Sequence, residues 1–462
     1  MAEIVIIGAG LTGLATAYYL EKNGFSDYII VEQNSRAGGL LRSEHEKGFT
    51  FDYTGHWIHC NNQLFSDFLA DVIGCKHMAR FQRNAGIFSH DTITTYPFQI
   101  NLYGLPTNVV VDCIESYVTR PCNKIRKPSS FHNWVLKHFG SGFGKHFFFP
   151  YNRKLLAYDL KKVHHSWTGR FVPSTTLHDI IQGTIAPEPL CNVGYNSTFQ
   201  YPKKGGIEAL ITGVLKKISQ PMYTNKTVTY LDVAAKKIFF SDGTNQRYNI
   251  LVSTMPLNKL LSCSSSATLQ VIAPKLHCNS VINYNLGCNV PLTEKFHWLY
   301  FPEKHFAWYR LGFWNNISTS LAPHQHASLY AEYSYLPGTK ARTLRTKTID
   351  LIRSQLMTFF NLHRSNIVVE KTLTLEHAYV IYDAWREKHI ANLLAQLAAD
   401  HIFSIGRYGA WKYASMQEAV VDGYNAAQSI QQSLGKAANN IHPVTQSKHE
   451  SLRKKQIDVT TN

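Results

Sequence analysis

The chain opens with a short apolar run, Ile4 to Ile7, that breaks at glycine, resumes as apolar positions at helical spacing through "LATAYYL", and reaches a second apolar run, "YIIV". That order predicts a buried strand, a tight turn, a helix and a second strand. From Leu102 to Pro189 apolar residues recur at helical spacing in "PTNVVVDCIESYV" and "SFHNWVLKHFGSGFGKHFFFPYNRKLL", broken by Gly and Pro, which predicts a helical lobe. Between about Leu257 and Thr374 apolar and polar residues alternate in short runs around one helical segment, "TKTIDLIRSQLMTFF". Period-two alternation predicts an antiparallel sheet. The chain is therefore expected to be α/β: a Rossmann-like cofactor domain over 1–100, 196–256 and 375–436, an inserted helical lobe over 101–195, an antiparallel β-sheet substrate domain over 257–374 and a flexible basic tail over 437–462.

The first turn is rich in glycine. Gly8, Gly10 and Gly13 form G-x-G-x-x-G between the first strand and helix, and Glu32 closes the second strand at the distance of a ribose-binding carboxylate. Backbone N–H groups at the helix start would then face a pyrophosphate. Strand, helix and acid agree on dinucleotide binding, against the plain alternative of glycines that only permit tight strand-helix packing.

A second pattern lies near residue 300, in "HWLYFPEKHFAWYRLGFWNN". Two strands joined across "PEKH" put Trp298 and Tyr300 on one face of the first, and Trp308, Arg310 and Trp314 on one face of the second, with Leu299, Phe301, Leu311 and Phe313 opposite. The aliphatic side reads as core. The other mixes indoles and a phenol with a guanidinium, the chemistry of a diphosphate clamp, while spacing alone leaves a structural salt bridge or stacking on tryptophan equally open for Arg310.

Composition narrows the classes. With 44% hydrophobic and 17% charged residues, disorder is not expected outside the tail, and no apolar run is long enough to cross a bilayer. "MAEIVIIGAG" lacks a basic leader, and Cys60, Cys75, Cys113, Cys122, Cys191, Cys263, Cys278 and Cys288 show no metal-like spacing. These features predict reduced, buried thiols, a cytoplasmic protein and no bound metal. A formal charge of +16 fits an anionic partner, yet there is no nucleic-acid recognition module, and part of the excess sits in "SKHESLRKK".

After Glu32 the chain reads "SRAGGLLRSE", which supplies Gly38, Gly39 and Leu40, and then "FDYTGHWIH". This resembles the second glycine motif of the FAD-containing amine oxidase and protoporphyrinogen oxidase superfamily, and "HIFSIGRYGAWKYASMQEAVVDGYNAAQSI" resembles its C-terminal FAD segment. The resemblance implies FAD as cofactor, held by Gly8, Gly10, Gly13, Glu32, Gly38, Gly39, Leu40, Gly55, His56, Val228, Gly406, Arg407, Met416 and Gln417, with the helix that opens at Met416 and Gln417 aimed at the flavin.

Within that superfamily "HWLYFPEKHFAWYR" looks like the substrate-binding strand pair of UDP-galactopyranose mutases, especially the eukaryotic type. Other motifs follow in the family's order: "TYPFQ", "FFFPYN", "NSTFQYPKKGG" and "GRYGAWKY". The resemblance spans about residues 3 to 432 and implies a flavin-dependent nucleotide-sugar mutase that interconverts pyranose and furanose forms. Reduced flavin N5 would attack the anomeric carbon with no net redox change, NAD(P)H is the candidate reductant, and the product class is galactofuranose for cell-surface glycans. It implies His56 and Arg310 as catalytic residues, and Tyr96, Phe98, Gln99, Asn152, Arg170, Asn196, Trp298, Tyr300, Arg310, Tyr379 and Tyr413 as the contacts of a UDP-linked substrate. The chain departs from the family in three places. "WTGRFVP" puts Arg170 one position early and Phe171 where a second diphosphate arginine is expected, Leu156 replaces a tryptophan, and "YASMQEAV" is closer to oxidase-like paralogues. An FAD-dependent oxidase or desaturase is the leading alternative, followed by a non-catalytic FAD-bound scaffold.

Overall fold

The computed structural model describes residues 3–121, 124, 127–169, 171–189, 194, 196–338 and 341–435. Ile4–Ile7 is wholly buried and forms the centre of a five-stranded parallel sheet, paired with Tyr28–Val31 on one side and Ile250–Ser253 on the other. Ile402–Ser404 and Met222–Tyr223 complete its edges. Strands covered on both faces read as continuous apolar runs, which is why this sheet is legible as "IVII", "YIIV" and "ILVS". The helix Leu11–Lys22 packs along Met416–Gly435, and Gly423 is required there because a Cβ would meet Ala15 Cβ and the Thr16 backbone at 2.8 Å. Segments far apart in the described chain thus close one domain.

The second sheet has seven strands, in the order 367–375, 280–288, 327–335, 310–313, 298–300, 85–89, 92–95. All neighbours are antiparallel except 298–300 with 85–89. One face carries Ile282, Leu286, Leu299, Leu311, Phe313, Leu329 and Ala331 against Ile352 and Leu356 of the helix Ala341–Phe359. The other face, turned toward the first domain, holds buried Asn283, Asn285, Ser328, Glu332 and Ser334. Polar groups at this depth require hydrogen-bonded partners, and Trp314 Nε1 donating to Asn285 Oδ1 and Ser334 Oγ donating to Leu155 O supply two of them.

The described residues of 101–189 carry the helices Thr107–Val118, Phe131–His138, Phe149–Leu156 and Leu177–Ile185 around a core of Phe98, Val109, Phe131, Phe143, Phe147 and Ile180. A π-helical turn, Gly144–Phe148, runs directly into Phe149–Leu156.

Four expectations change. Residues 85–95, assigned to the cofactor domain, form an edge hairpin of the seven-stranded sheet. The segment after Leu257, assigned to the sheet domain, begins with the short helices Leu257–Ser262 and Ala267–Ile272, whose Leu257, Leu260 and Leu261 pack with Val5, Ile7 and Leu251 of the parallel sheet. Trp308 lies on the aliphatic side, against Phe301 and Phe306, because the second hairpin strand begins only at Arg310 and the loop before it breaks the two-residue period. The described cysteines are free, and Cys75 is exposed rather than buried. Among the described residues no helix is long and apolar enough to cross a membrane, and no group of three or more His, Cys, Asp or Glu could hold a metal ion.

Candidate active site

The glycines of the first turn have separable reasons. Gly8 adopts φ +98°, and a Cβ on Gly13 would sit 2.0 Å from Gly8 O. Both are demanded by the protein's own backbone. Gly10 is different, since its Cβ would meet only Gly39 Cα at 3.9 Å. Gly10 caps the helix Leu11–Lys22 without a side-chain cap bond, and it faces the loop of Gly38 and Gly39, whose φ values of +121° and +56° fold it back over the helix start. A bare helix N-terminus under a glycine roof is the cradle a pyrophosphate needs.

Glu32 lies at one end of that cradle. Its carboxylate accepts from Ala9 N–H at 2.9 Å and from Asn34 N–H and Nδ2 at 2.8 and 2.6 Å, so it is held in place with acceptor capacity left for a ribose. Lys226 N–H donates to Glu32 O at 2.8 Å, which brings the strand that opens at Val228 beside the same end. Leu40, like Tyr53 and Tyr379, packs against the buried cluster of Val281, Leu375 and Ala378. At the far end Gly406, φ +79°, lies against Thr12, and Met416 opens the last helix. Gln417 Oε1 accepts from Asn61 N–H at 2.7 Å, tying that helix to the segment after His56. Gly55 is explained by packing, because a Cβ would strike Tyr330 OH at 2.4 Å.

Across the second sheet, Tyr300, Arg310 and Glu332 stand in register on adjacent strands. The expected salt-bridge alternative for Arg310 is present: Nε and Nη2 donate to the fully buried Glu332 carboxylate at 3.0 and 2.7 Å, leaving Nη1 outside the pair. Arg310 still keeps 17% of its side chain accessible, although it lies deep in the molecule. It is close enough to His56 that its guanidinium, with Arg407 and, above both, burial, drives the imidazole down to about 3. His56 is accordingly neutral. Tyr300, Tyr379, Tyr96 and Arg407 are likewise half-buried, and the charges of Arg310 and Arg407 act on both His56 and Tyr379, so these groups gather with Arg310 into one cluster, the candidate cleft.

Arg407 is enclosed by rings. Its guanidinium lies 4.5 Å from the Tyr413 centroid and 5.6 Å from that of Tyr379, and these two rings stack at 6.2 Å and 7°. Nη1 and Nη2 donate to Ala414 O and Ala378 O at 2.9 Å, whereas Nε is buried without a partner. Phe171 packs edge-on against Tyr413 at 4.4 Å. Arg170 lies outside the described residues.

Tyr96, directly after the 85–95 hairpin, meets Tyr300 at 5.3 Å, and from the helical lobe Tyr151 meets Tyr300 edge-on at 5.3 Å. Gln99 is buried and donates to Pro173 O, and Asn152 is buried and donates to Phe148 O at 2.8 Å, satisfying a carbonyl at the π-helical turn. Two expected contacts are placed elsewhere. Phe98 has no accessible surface and stacks on Phe147, and Trp298 stacks on Trp57 at 5.8 Å within the core. Arg83 was not anticipated. Its guanidinium lies 4.7 Å from the Tyr96 centroid and donates to Asn196 Oδ1 at 2.5 Å, joining two expected site residues. A lone arginine before an apolar strand carries no local signal of such a role.

Residues 11–431 match the model of a family described as flavin containing amine oxidoreductase. Among solved structures, a reduced UDP-galactopyranose mutase superposes with a TM-score of 0.87 at 26% identity, covering 94% of this chain and 95% of that one. A putative protoporphyrinogen oxidase from Exiguobacterium sp. 255-15 gives a TM-score of 0.72 at 14% identity over 93% and 98% of the two chains, a likeness of fold. Curated relatives match over short spans. The bovine peroxisomal N(1)-acetyl-spermine/spermidine oxidase is 38% identical over 13% of this chain and 12% of its own length. A probable flavin-containing monoamine oxidase A of Dictyostelium discoideum is 27% identical over 22% of each.

Proposed function

As the chain belongs to the flavin-containing amine oxidoreductases and takes FAD as its cofactor, we propose that it is a nucleotide-sugar mutase interconverting pyranose and furanose forms without net redox change. The observation that carries this reading is the sign of the charge in the cleft. Arg310, Arg407 and Arg83 bring three guanidiniums to it, and the buried Glu332 carboxylate is taken up by Arg310. A cationic amine would be repelled there, whereas a diphosphate would be attracted.

FAD, bound and reduced, supplies a nucleophilic electron pair at N5; the protein supplies the rest. Glu332 fixes the plane of Arg310, so the guanidinium is aimed before substrate arrives and stabilises charge growing on the departing diphosphate without reorganising. Tyr300, Tyr379 and Tyr413 add hydroxyl donors on the same wall. Burial holds the tyrosines at 300 and 379 in the protonated, donating form. Neutral His56 can lie against an uncharged ring system without placing a cation there. Uridine as the base rests on the resemblance, with Leu156 in place of a tryptophan setting this chain apart.

The test uses the purified FAD-loaded protein, anaerobically reduced with dithionite and given a panel of nucleotide hexoses resolved by chromatography. Ring-contracted product in the reduced sample and none in the oxidised one is expected. Steady oxygen consumption with an amine, and no isomerisation, would establish the alternative oxidase reading, which the names of the curated relatives and Phe171 beside Tyr413 favour.

A further inference from the structure

Behind the wall that carries Tyr300 and Arg310 lies a lysine that the reaction does not use. Lys154, on the helix Phe149–Leu156, donates its Nζ to Phe301 O at 2.7 Å and Glu303 O at 2.9 Å. These carbonyls belong to the loop that joins the two hairpin strands. Phe301 directly follows Tyr300, Phe301 N–H donates to Tyr309 O at 2.9 Å, and Tyr309 directly precedes Arg310. Three residues before Lys154, Tyr151 packs edge-on against Tyr300 and, at 6.3 Å, against Tyr309. One helical turn of the lobe thus grips the first strand and both ends of the loop, Tyr151 by packing and Lys154 by two hydrogen bonds.

The loop is also held from the side. Glu303 Oε1 accepts from His90 N–H at 2.7 Å at the turn of the 85–95 hairpin. Burial lowers the Lys154 pKa to about 7, with the Glu303 carboxylate opposing. An apolar side chain of similar length would leave both carbonyls without this donor, a cost expected only where their position matters.

We propose that Lys154 is a positioning residue that docks the helical lobe onto the Tyr300–Arg310 hairpin and thereby fixes the anion-binding wall of the cleft. Its role in binding rests on the nucleotide-sugar reading; the docking itself does not. The experiment compares the FAD-loaded wild-type protein with Lys154→Met and Lys154→Arg by UDP titration, flavin content and native-state hydrogen exchange. For Lys154→Met, flavin content is expected to be unchanged, UDP affinity to fall at least tenfold, and amides of 301–309 to exchange at least tenfold faster, with Lys154→Arg recovering part of both losses. Unchanged exchange at 301–309 in Lys154→Met would overturn the proposal, as would equal loss of flavin and UDP. Faster exchange in a protein whose wild type binds no UDP would uphold the docking and sink the nucleotide-sugar reading. Should Lys154→Met fail to fold, the wild type decides: amides of 301–309 and 153–157 opening with one free energy support docking, and two distinct values refute it.

Discussion

A buried guanidinium is held in place by what pairs with it, and for Arg310 that is Glu332, with its two carboxylate oxygens on Nε and Nη2. Removing one member of such a pair strands the other charge in a medium that cannot solvate it. Glu332→Ala is therefore expected to destabilise the protein by about 3–5 kcal/mol. Replacing both, as Arg310→Met with Glu332→Leu, should recover most of that stability while UDP binding stays lost; chemical denaturation and UDP titration of the same samples separate the two effects. If the double replacement binds UDP like the wild type, Arg310 is a structural residue only. The pairing was not legible in the sequence, because 310 and 332 meet only through strand register, across two 3₁₀ turns at Trp314–Asn316 and Thr319–Leu321.

Among the elements, the strand-turn-helix at the start was the most readable, since every part of its logic is local: glycines for backbone approach, an apolar run for the buried strand, an acid at the next strand's end. Its glycines nonetheless differ in kind. Gly13→Ala drives a methyl group into Gly8 O and is expected to lower both thermal stability and flavin content. Gly10→Ala meets no protein atom closer than 3.9 Å, so it should fold with near wild-type stability and lose FAD selectively, as read by melting temperature and by the flavin absorbance that survives dialysis. Equal behaviour of the two variants would remove the case for a pyrophosphate over Gly10. The hairpin of 298–313 was legible as a pair of strands but misphased at Trp308, where an irregular loop interrupts the alternation. Arg83 and the 85–95 hairpin were missed for a related reason: Asn196 lies 113 residues from Arg83 and the strand 298–300 lies about two hundred residues from 85–89, and local pattern reports only what a segment buries, not against what.

For the whole molecule, buried titratable groups set the acid limb of stability. His297 is 7% exposed, burial takes its pKa to about 4, and Asn84 N–H donates to its Nδ1, which requires the neutral ring. A folded pKa below the unfolded value of about 6.5 gives stability that is complete above 6.5 and lost as pH falls through 4, here about 3 kcal/mol. Asp52, raised by burial to about 6, has the opposite sign, its contribution being lost as pH rises through that value. The free energy of unfolding of His297→Gln, measured from pH 7 to 4, should therefore fall less steeply than that of the wild type, and an equal slope would show that His297 is not held neutral.

The parallel seam between 85–89 and 298–300 has a mechanical outcome. It staples a strand from the first quarter of the polypeptide to one from beyond its middle, with the whole helical lobe enclosed in the intervening loop. A protease cut within that loop would leave two pieces still clasped by backbone hydrogen bonds, so a nicked molecule should migrate as one species until denatured, and pieces produced separately should reassemble.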